Sequence, residues 1–170
     1  MNVPRAAIVL TPVTSEDNDF LLRLYQSSRG DDLRELGWSE DRISEFLEMQ
    51  HEAQRNFVAT DYPNIVDQII SLDGQTAGRL AVEHRPDEIR LIDIALFPEH
   101  RNHGLGTYLI QQIQEHAQSA RLPLRLQVIR FSRAVGLFER LGFTRTSETG
   151  SHFQMEWNPG SNRSPTVSQD

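Results

Sequence analysis

The sequence predicts a mixed α/β fold, and three observations support this prediction. Short apolar segments bounded by turn residues are typical of strands. Other segments carry an apolar residue every three to four positions behind a hydroxyl or acidic cap, which is typical of helices. These segments follow each other in the order strand, two helices, three strands, helix, strand, helix, two strands. The chain has 170 residues, of which 38% are hydrophobic, so it can bury the core of a single domain. We expect that domain to cover residues 1–157.

The first part of the chain predicts one strand and two helices. Residues 6–11 form an apolar strand, and residues 14–17 provide a hydroxyl cap and an acidic first turn for a helix. The polar residues 28–31 predict the end of that helix. A second helix is expected to begin at Ser39. The residues on its inward face are expected to be Ile43, Phe46 and Leu47.

The middle of the chain predicts three strands. Residues 65–70 and 77–83 are two strands joined by the hairpin pair Asp73-Gly74. After a further turn, residues 89–97 are apolar at both odd and even positions, which is typical of a central strand covered on both faces. The two polar exceptions are Arg90 and Asp93.

The last part predicts a helix, a strand, a short helix and two short strands. The first helix begins within residues 98–110, and the strand covers residues 124–129. Ser132 can cap the short helix, and the last strand ends at Trp157. The tail of residues 158–170 is polar and rich in Pro and Ser, and we expect it to be disordered.

The composition argues against several kinds of partner and chemistry. The net charge of −7 is unsuited to nucleic acid, whose phosphates need a basic surface. Since no apolar run approaches the length of a membrane span and no secretory signal begins the chain, we expect a cytoplasmic protein that does not bind membranes. The absence of cysteine excludes disulfides and a cysteinyl intermediate. The six histidines lack paired ligand spacing, so we expect no metal.

The stretch PEHRNHGLGTYLI, residues 98–110, places Gly104 and Gly106 at the start of a predicted helix. A Walker loop is excluded because no Lys-Ser or Lys-Thr follows the second glycine. A dinucleotide-binding fingerprint is excluded because Leu109 stands where a third small residue is needed. The remaining interpretation is an anion site, in which backbone N–H groups of residues 101–107 converge at the positive end of the helix dipole.

Three segments resemble the GNAT acetyltransferase family. Residues 101–107 resemble its Arg-x-x-Gly-x-Gly signature, LIDIALFPEH its central strand, and LFERLGF its late helix with the terminal Gly-Phe. The resemblance implies a mainly antiparallel sheet of six to seven strands flanked by about four helices. It also implies direct transfer of an acetyl group from acetyl-CoA to a primary amine of a small molecule or peptide, without an acyl-enzyme.

The resemblance further implies which residues bind acetyl-CoA. The turn is expected to hold the pyrophosphate and the end of the central strand the pantetheine. The Leu96 N–H is expected to point at the thioester oxygen, which gains charge in the transition state. The cofactor-binding residues are expected to be Ala95, Leu96, Phe97, Arg101, Asn102, His103, Gly104, Leu105, Gly106, Thr107, Ser132 and Phe138.

Two departures from the family pattern leave the acid and the base open. Phe138 stands where the family commonly has a tyrosine that protonates the departing thiolate, and Gln127 where some members have a glutamate base. Neither side chain transfers protons. Ser132, Tyr108 and water are the candidate acids. Asp93 is the candidate base, acting through water, and the alternative for it is a structural carboxylate bonded to a neighbouring strand. The expected catalytic residues are therefore Asp93, Leu96 and Ser132.

The same departures keep a second function open, a catalytically impaired CoA-binding module that acts as a sensor or interaction domain. A structural α/β domain without a ligand is a third interpretation, which the glycine turn disfavours. The family builds its acceptor pocket from the N-terminal helices, but nothing in them selects between a small amine, an amino acid and a peptide N-terminus. Members are frequently dimers, so the resemblance leaves a homodimer open.

Overall fold

A computed structural model describes residues 7–160. Within them the chain forms one seven-stranded mixed sheet and four α-helices, as predicted. The predicted strand start at residue 6 and residues 161–170 of the predicted disordered tail lie outside the described residues. The strands are β1 (Ile8–Pro12), β2 (Ile65–Leu72), β3 (Gln75–His84), β4 (Ile89–Leu96), β5 (Leu124–Ile129), β6 (Thr144–Glu148) and β7 (His152–Trp157), in the order β1-β2-β3-β4-β5-β7-β6. The helices are α1 (Asn18–Glu35), α2 (Glu40–Asp61), α3 (Leu105–Ala120) and α4 (Ala134–Arg140).

The described residues divide into two compact units. The first consists of residues 7–83 and 93–106 and contains β1, β2, almost all of β3, the second half of β4, α1 and α2. In this unit β1 pairs with β2 and β2 with β3, both antiparallel, and Asp73-Gly74 forms the predicted hairpin turn. Both turn residues have positive φ, which Gly and Asp tolerate.

The helix α1 begins as the sequence predicts but ends later. Thr14 forms a capping box, since Asp17 Oδ2 accepts from the Thr14 N–H at 2.7 Å and Thr14 caps the following 3₁₀ turn. The prediction that the helix ends at residues 28–31 is wrong. The Ser28 hydroxyl donates to the carbonyls of Leu24 and Tyr25, so this polar residue bonds within the helix instead of ending it.

The helix α2 follows the prediction closely. The Ser39 side chain caps it by accepting from the Arg42 N–H at 3.3 Å. On its inward face Ile43 and Leu47 are buried, whereas Phe46 is partly exposed and packs edge-on against Trp38. The helical spacing of the apolar residues therefore predicted correctly which face of α2 is directed towards the core.

The second unit consists of residues 84–92 and 107–160. In this unit β4 and β5 are parallel, and Ile89–Leu91 lie opposite Leu124–Leu126. The strand β7 pairs antiparallel with both β5 and β6. The side chains of Trp157 and Met155 on β7 and of Ile110 on α3 are fully buried. Among residues 7–160, no helix combines the length and apolar character that crossing a membrane requires.

Candidate functional site

The segment of residues 101–106, which follows β4 and includes the first two residues of α3, is called the glycine turn below. Its backbone takes left-handed conformations at Asn102, with φ of 63°, and at Gly104, with φ of 84°. A side chain is disfavoured in this region, so a glycine at position 104 is explained by the backbone itself. Leu105 is buried and begins α3, and Thr107 lies in the first helical turn. The turn therefore leads directly into a helix N-terminus, as predicted.

Gly106 differs from Gly104, because its conformation does not require glycine. A Cβ atom at Gly106 would lie 3.9 Å from Leu96 Cδ1, which is an ordinary contact distance. Leu96 would therefore accommodate an alanine at this position.

Arg101 fixes the glycine turn to the end of β4. Its Nε donates to the Leu96 carbonyl at 2.9 Å, and its backbone N–H donates to the Pro98 carbonyl at 3.2 Å. In the structure this arginine, which was predicted to bind the cofactor, holds the strand end in place. His103 and Asn102 are exposed on the turn.

Gly78 allows β3 to approach the end of β4 closely. A Cβ atom at Gly78 would collide with the Ala95 carbonyl oxygen and come within 2.9 Å of Leu96 Cδ2. Beside this contact the Phe97 N–H donates to the Ala77 carbonyl at 2.9 Å. Sequence reasoning did not identify Gly78, although a glycine inside a strand pattern is a known indication of close backbone approach.

Asp93 is bonded to the neighbouring strand β3. Its Oδ2 accepts from Arg79 Nη1 at 3.2 Å, and Arg79 donates two further bonds, of 2.7 and 2.8 Å, to the carboxylate of Asp67 on β2. This is the structural bond that the sequence analysis gave as the alternative for Asp93. Burial raises the pKa of Asp93, and the positive charges of Arg79 and Arg29 oppose that rise only in part.

Asp93 also lines a cavity of about 50 Å³, called the polar cavity below. The Asp93 side chain is 35% exposed, so part of it faces the cavity while its carboxylate bonds to Arg79. The other residues that matter in the walls are Tyr25, Arg29, His51, Arg79 and Ala95.

The helices α1 and α2 supply the aromatic wall of the polar cavity. The Tyr25 and His51 rings lie 5.2 Å apart, and the Arg29 guanidinium lies 4.6 Å from the centre of the Tyr25 ring. Burial lowers the pKa of His51, and the nearby charges of Arg55 and Arg79 lower it further. His51 is therefore neutral at physiological pH.

Sequence reasoning missed Tyr25, Arg29 and Arg79 as site residues. Tyr25 and Arg29 are four residues apart, so they lie on one face of a helix, but only if that helix continues beyond residue 28. The predicted helix end separated them. Arg79, a charged residue within a largely apolar strand, was the available indication of a buried ion pair.

The remaining predicted site residues belong to the second unit. The Ser132 Oγ accepts from the Ala134 N–H at 3.1 Å at the start of α4. Phe138 is 5% exposed and packs edge-on against Phe143, with ring centres 5.5 Å apart. Gln127 is exposed on β5. Within the described residues, no three His, Asp or Glu side chains are grouped as metal ligands would be.

Comparisons with known proteins give a family and a set of similar structures. The sequence model of the acetyltransferase (GNAT) family matches residues 22–143, well over half of the chain. A comparison with curated protein sequences finds no match.

Several solved structures share the fold. The PaiA N-acetyltransferase from Thermoplasma acidophilum, in complex with coenzyme A, has a TM-score of 0.69 and 18% identity over 89% of this chain and 99% of its own. An acetyltransferase from Thermus thermophilus has a TM-score of 0.64 and 17% identity over 93% and 99%. The ribosomal-protein-S18-alanine N-acetyltransferase from Escherichia coli has a TM-score of 0.60 and 17% identity over 89% and 93%. These likenesses confirm the predicted fold.

Proposed function

Because the chain belongs to the GNAT acetyltransferase family, we propose that it transfers an acetyl group from acetyl-CoA directly to a primary amine of a small molecule or peptide. The observation that carries the proposal is the glycine turn, whose left-handed residues Asn102 and Gly104 lead straight into α3. Free N–H groups at a helix N-terminus bind anions, and each dipole contact contributes at most about 2 kcal/mol, so several must converge on a pyrophosphate. A structural neighbour was solved with coenzyme A.

The residues around the glycine turn fit acetyl-CoA. Gly106 leaves space that Leu96 does not fill, so a ligand can approach the backbone there. Since the Phe97 N–H points to β3, the N–H of Leu96 points to the opposite side of the strand, where it can donate to a thioester oxygen. We therefore retain Ala95–Phe97, residues 101–107, Ser132 and Phe138 as the proposed cofactor-binding residues.

Asp93 is the proposed base. Acetyl-CoA supplies the acetyl group, and its C–S bond breaks as the amine nitrogen bonds to the acetyl carbon and CoA leaves as the thiol. The proton of the acceptor ammonium passes to Asp93 through water, because the raised pKa of Asp93 makes it a better proton acceptor than an ordinary aspartate. Arg79 is a positioning residue, since its bonds to Asp67 and Asp93 fix the carboxylate in the polar cavity.

The proton for the leaving thiolate has three candidate sources. The Ser132 Oγ accepts a hydrogen bond from the Ala134 N–H, so this bond leaves the hydroxyl hydrogen of Ser132 unused. Ser132 can therefore donate, as can Tyr108 or water. A thiolate with an ordinary pKa near 8.5 also leaves readily without a dedicated acid.

The second candidate function is a CoA-binding module without catalysis. The observation that favours it is Phe138, which is buried against Phe143 and has no proton to give. The cytoplasmic location, the homodimer and the absence of membrane or nucleic-acid partners stay predictions.

The first experiment is calorimetric titration with acetyl-CoA of the wild type, Gly104→Asp and Gly74→Asp. Gly74 is a matched control, because it also has positive φ, at 80°, has nothing within 4 Å of its added Cβ, and receives the same charge. We expect binding to be lost in Gly104→Asp alone, since the new carboxylate repels pyrophosphate.

Two results would contradict parts of the proposal. Failure of the wild type to bind acetyl-CoA would contradict the cofactor assignment. Binding without thiol release in the presence of any amine would favour the non-catalytic module.

A further inference from the structure

The polar cavity contains two arginines with different partners. Arg79 uses three N–H groups on Asp67 and Asp93 and is largely buried. Arg29 is exposed at the cavity, where its guanidinium lies over the Tyr25 ring at 4.6 Å. Among the described residues it forms no salt bridge. One arginine of the cavity is therefore satisfied by the protein, and the other is available to a ligand.

One negatively charged and one positively charged group of the cavity remain for a ligand. The Arg79 charge is matched by its bidentate partner Asp67. His51 carries no charge at neutral pH, because its pKa is lowered by burial. What remains is the carboxyl group of Asp93 and the guanidinium of Arg29, which lie close enough to interact electrostatically but do not form a salt bridge within the described part of the chain.

We propose that the acceptor carries a carboxylate next to its primary amine, as a free amino acid does, with the carboxylate bound by Arg29 and the amine directed to Asp93. This inference rests on the proposed acetyl transfer, and it names the class of acceptor. A guanidinium that lies over an aromatic ring keeps its in-plane N–H groups free, and a guanidinium can bind a carboxylate through two parallel bonds.

The same features disfavour the other acceptor classes. A diamine or polyamine would place its second cation near Arg29, where the two charges repel. A peptide N-terminus has an amide in place of the carboxylate, so Arg29 would lack an anionic partner.

The test uses matched sets of three amines. Alanine, leucine and phenylalanine are each compared with the carboxamide and with the decarboxylated amine, which are ethylamine, 3-methylbutylamine and phenethylamine. Binding is measured calorimetrically to protein saturated with CoA, in which no transfer occurs, and turnover is measured separately by thiol release from acetyl-CoA. The proteins are the wild type, Arg29→Gln, Arg29→Lys, and Arg23→Gln as control, because Arg23 is an exposed arginine of α1 outside the cavity walls.

We expect at least one free acid to bind the wild type about 10- to 100-fold more tightly than its amide and its decarboxylated amine, the range for a hydrogen-bonded ion pair. In Arg29→Gln this difference should disappear, and in Arg29→Lys it should return in part. Arg23→Gln should keep it. Unchanged acetyl-CoA affinity in each variant shows that the fold is intact.

Several outcomes would overturn the inference. These are equal affinity for the three members of every set, no binding by any free acid, or a carboxylate preference that survives in Arg29→Gln. The two measurements also separate this inference from the proposed function. Acetyl transfer without carboxylate preference would contradict the inference alone. Carboxylate-dependent binding without transfer to any amine would contradict the proposed activity, and Arg29 would then belong to a site that binds amino acids without acetylating them.

Discussion

The glycine turn and the polar cavity are assembled in different ways. The turn consists of six consecutive residues, and its shape comes from backbone conformations at Asn102 and Gly104. The cavity brings together side chains from α1, α2, β3 and β4, among them Tyr25, His51 and Asp93, which are far apart in the sequence. One region is local and made of backbone, and the other is long-range and made of side chains.

This difference determines what each region can do and how it fails. A backbone turn offers the same N–H groups whatever the neighbouring side chains are, so it suits a cosubstrate shared by a whole family. A cavity made of side-chain charges changes with each substitution, so it suits the selection of an acceptor. We therefore expect single changes in the turn to abolish binding, and single changes in the cavity to alter preference or pH dependence.

The largest effect is expected at Gly78, because it supports both regions. A Cβ atom there meets the Ala95 carbonyl, and Ala95 lines the cavity while the next carbonyl, of Leu96, is held by Arg101. We expect Gly78→Ala to lower the free energy of unfolding by about 1–3 kcal/mol, as overpacking does, and to weaken both acetyl-CoA binding and turnover.

Chemical denaturation and calorimetry would measure these two effects. Gly150→Ala is the control, since nothing lies within 4 Å of a Cβ atom at that position. A Gly78→Ala protein with wild-type stability would show that the close approach of β3 and β4 is unnecessary.

A smaller effect, confined to the cavity, is expected for Asp93→Asn. If Asp93 is the base, it is needed most at lower pH, where more of the acceptor carries the proton to be removed. At pH values where Asp93 is ionised in the wild type, we expect kcat/KM to fall by about 100-fold in the variant, and by less as the pH approaches the pKa of the amine itself. Acetyl-CoA affinity should not change.

The control for Asp93→Asn is Asp67→Asn. It disturbs the same Arg79 ion pair but removes a carboxylate that does not line the polar cavity. An unchanged pH–rate profile in Asp93→Asn would mean that Asp93 is only a structural partner of Arg79. The same change in Asp67→Asn would mean that the effect comes from disturbing Arg79.

Sequence reasoning succeeded where the information was local. The glycine turn, the hairpin at Asp73-Gly74 and the strand at residues 124–129 follow from neighbouring residues, and the structure places all three as predicted. Turn and strand preferences act over a few residues, so a short segment contains most of what determines them.

Sequence reasoning failed at the end of α1, which depends on side-chain hydrogen bonds that the sequence pattern does not show. The serine hydroxyls near residue 28 bond to helix carbonyls, so α1 continues, and Arg29 joins Tyr25 on one helix face. With the helix ended early, Arg29 had no assigned position. The cavity could not be predicted for the same reason, because it requires the packing of four elements and not only their existence.

The smallest effect is expected from His51, and it concerns stability. Its folded-state pKa is lowered, first by burial and then by the charges of Arg55 and Arg79, so the unfolded chain binds a proton more readily. The protein should therefore lose stability as the pH falls from about 6.5, the ordinary histidine value, towards the lowered pKa, by at most about 1.4 kcal/mol per pH unit for one proton. Above that window the residue has no pH-dependent effect.

The measurement is urea denaturation of the wild type and His51→Gln between pH 7.5 and 5, a range chosen to include about one unit on each side of the ordinary histidine pKa. We expect a shallower pH dependence in the variant. His84 is the matched control, because burial lowers its pKa too, but it lies in the second unit beside His116. The contrary result would be a wild-type dependence of stability on pH in His51→Gln, together with loss of that dependence in His84→Gln. The acid sensitivity would then belong to the second unit, and the polar cavity would not contain a neutral histidine that resists protonation.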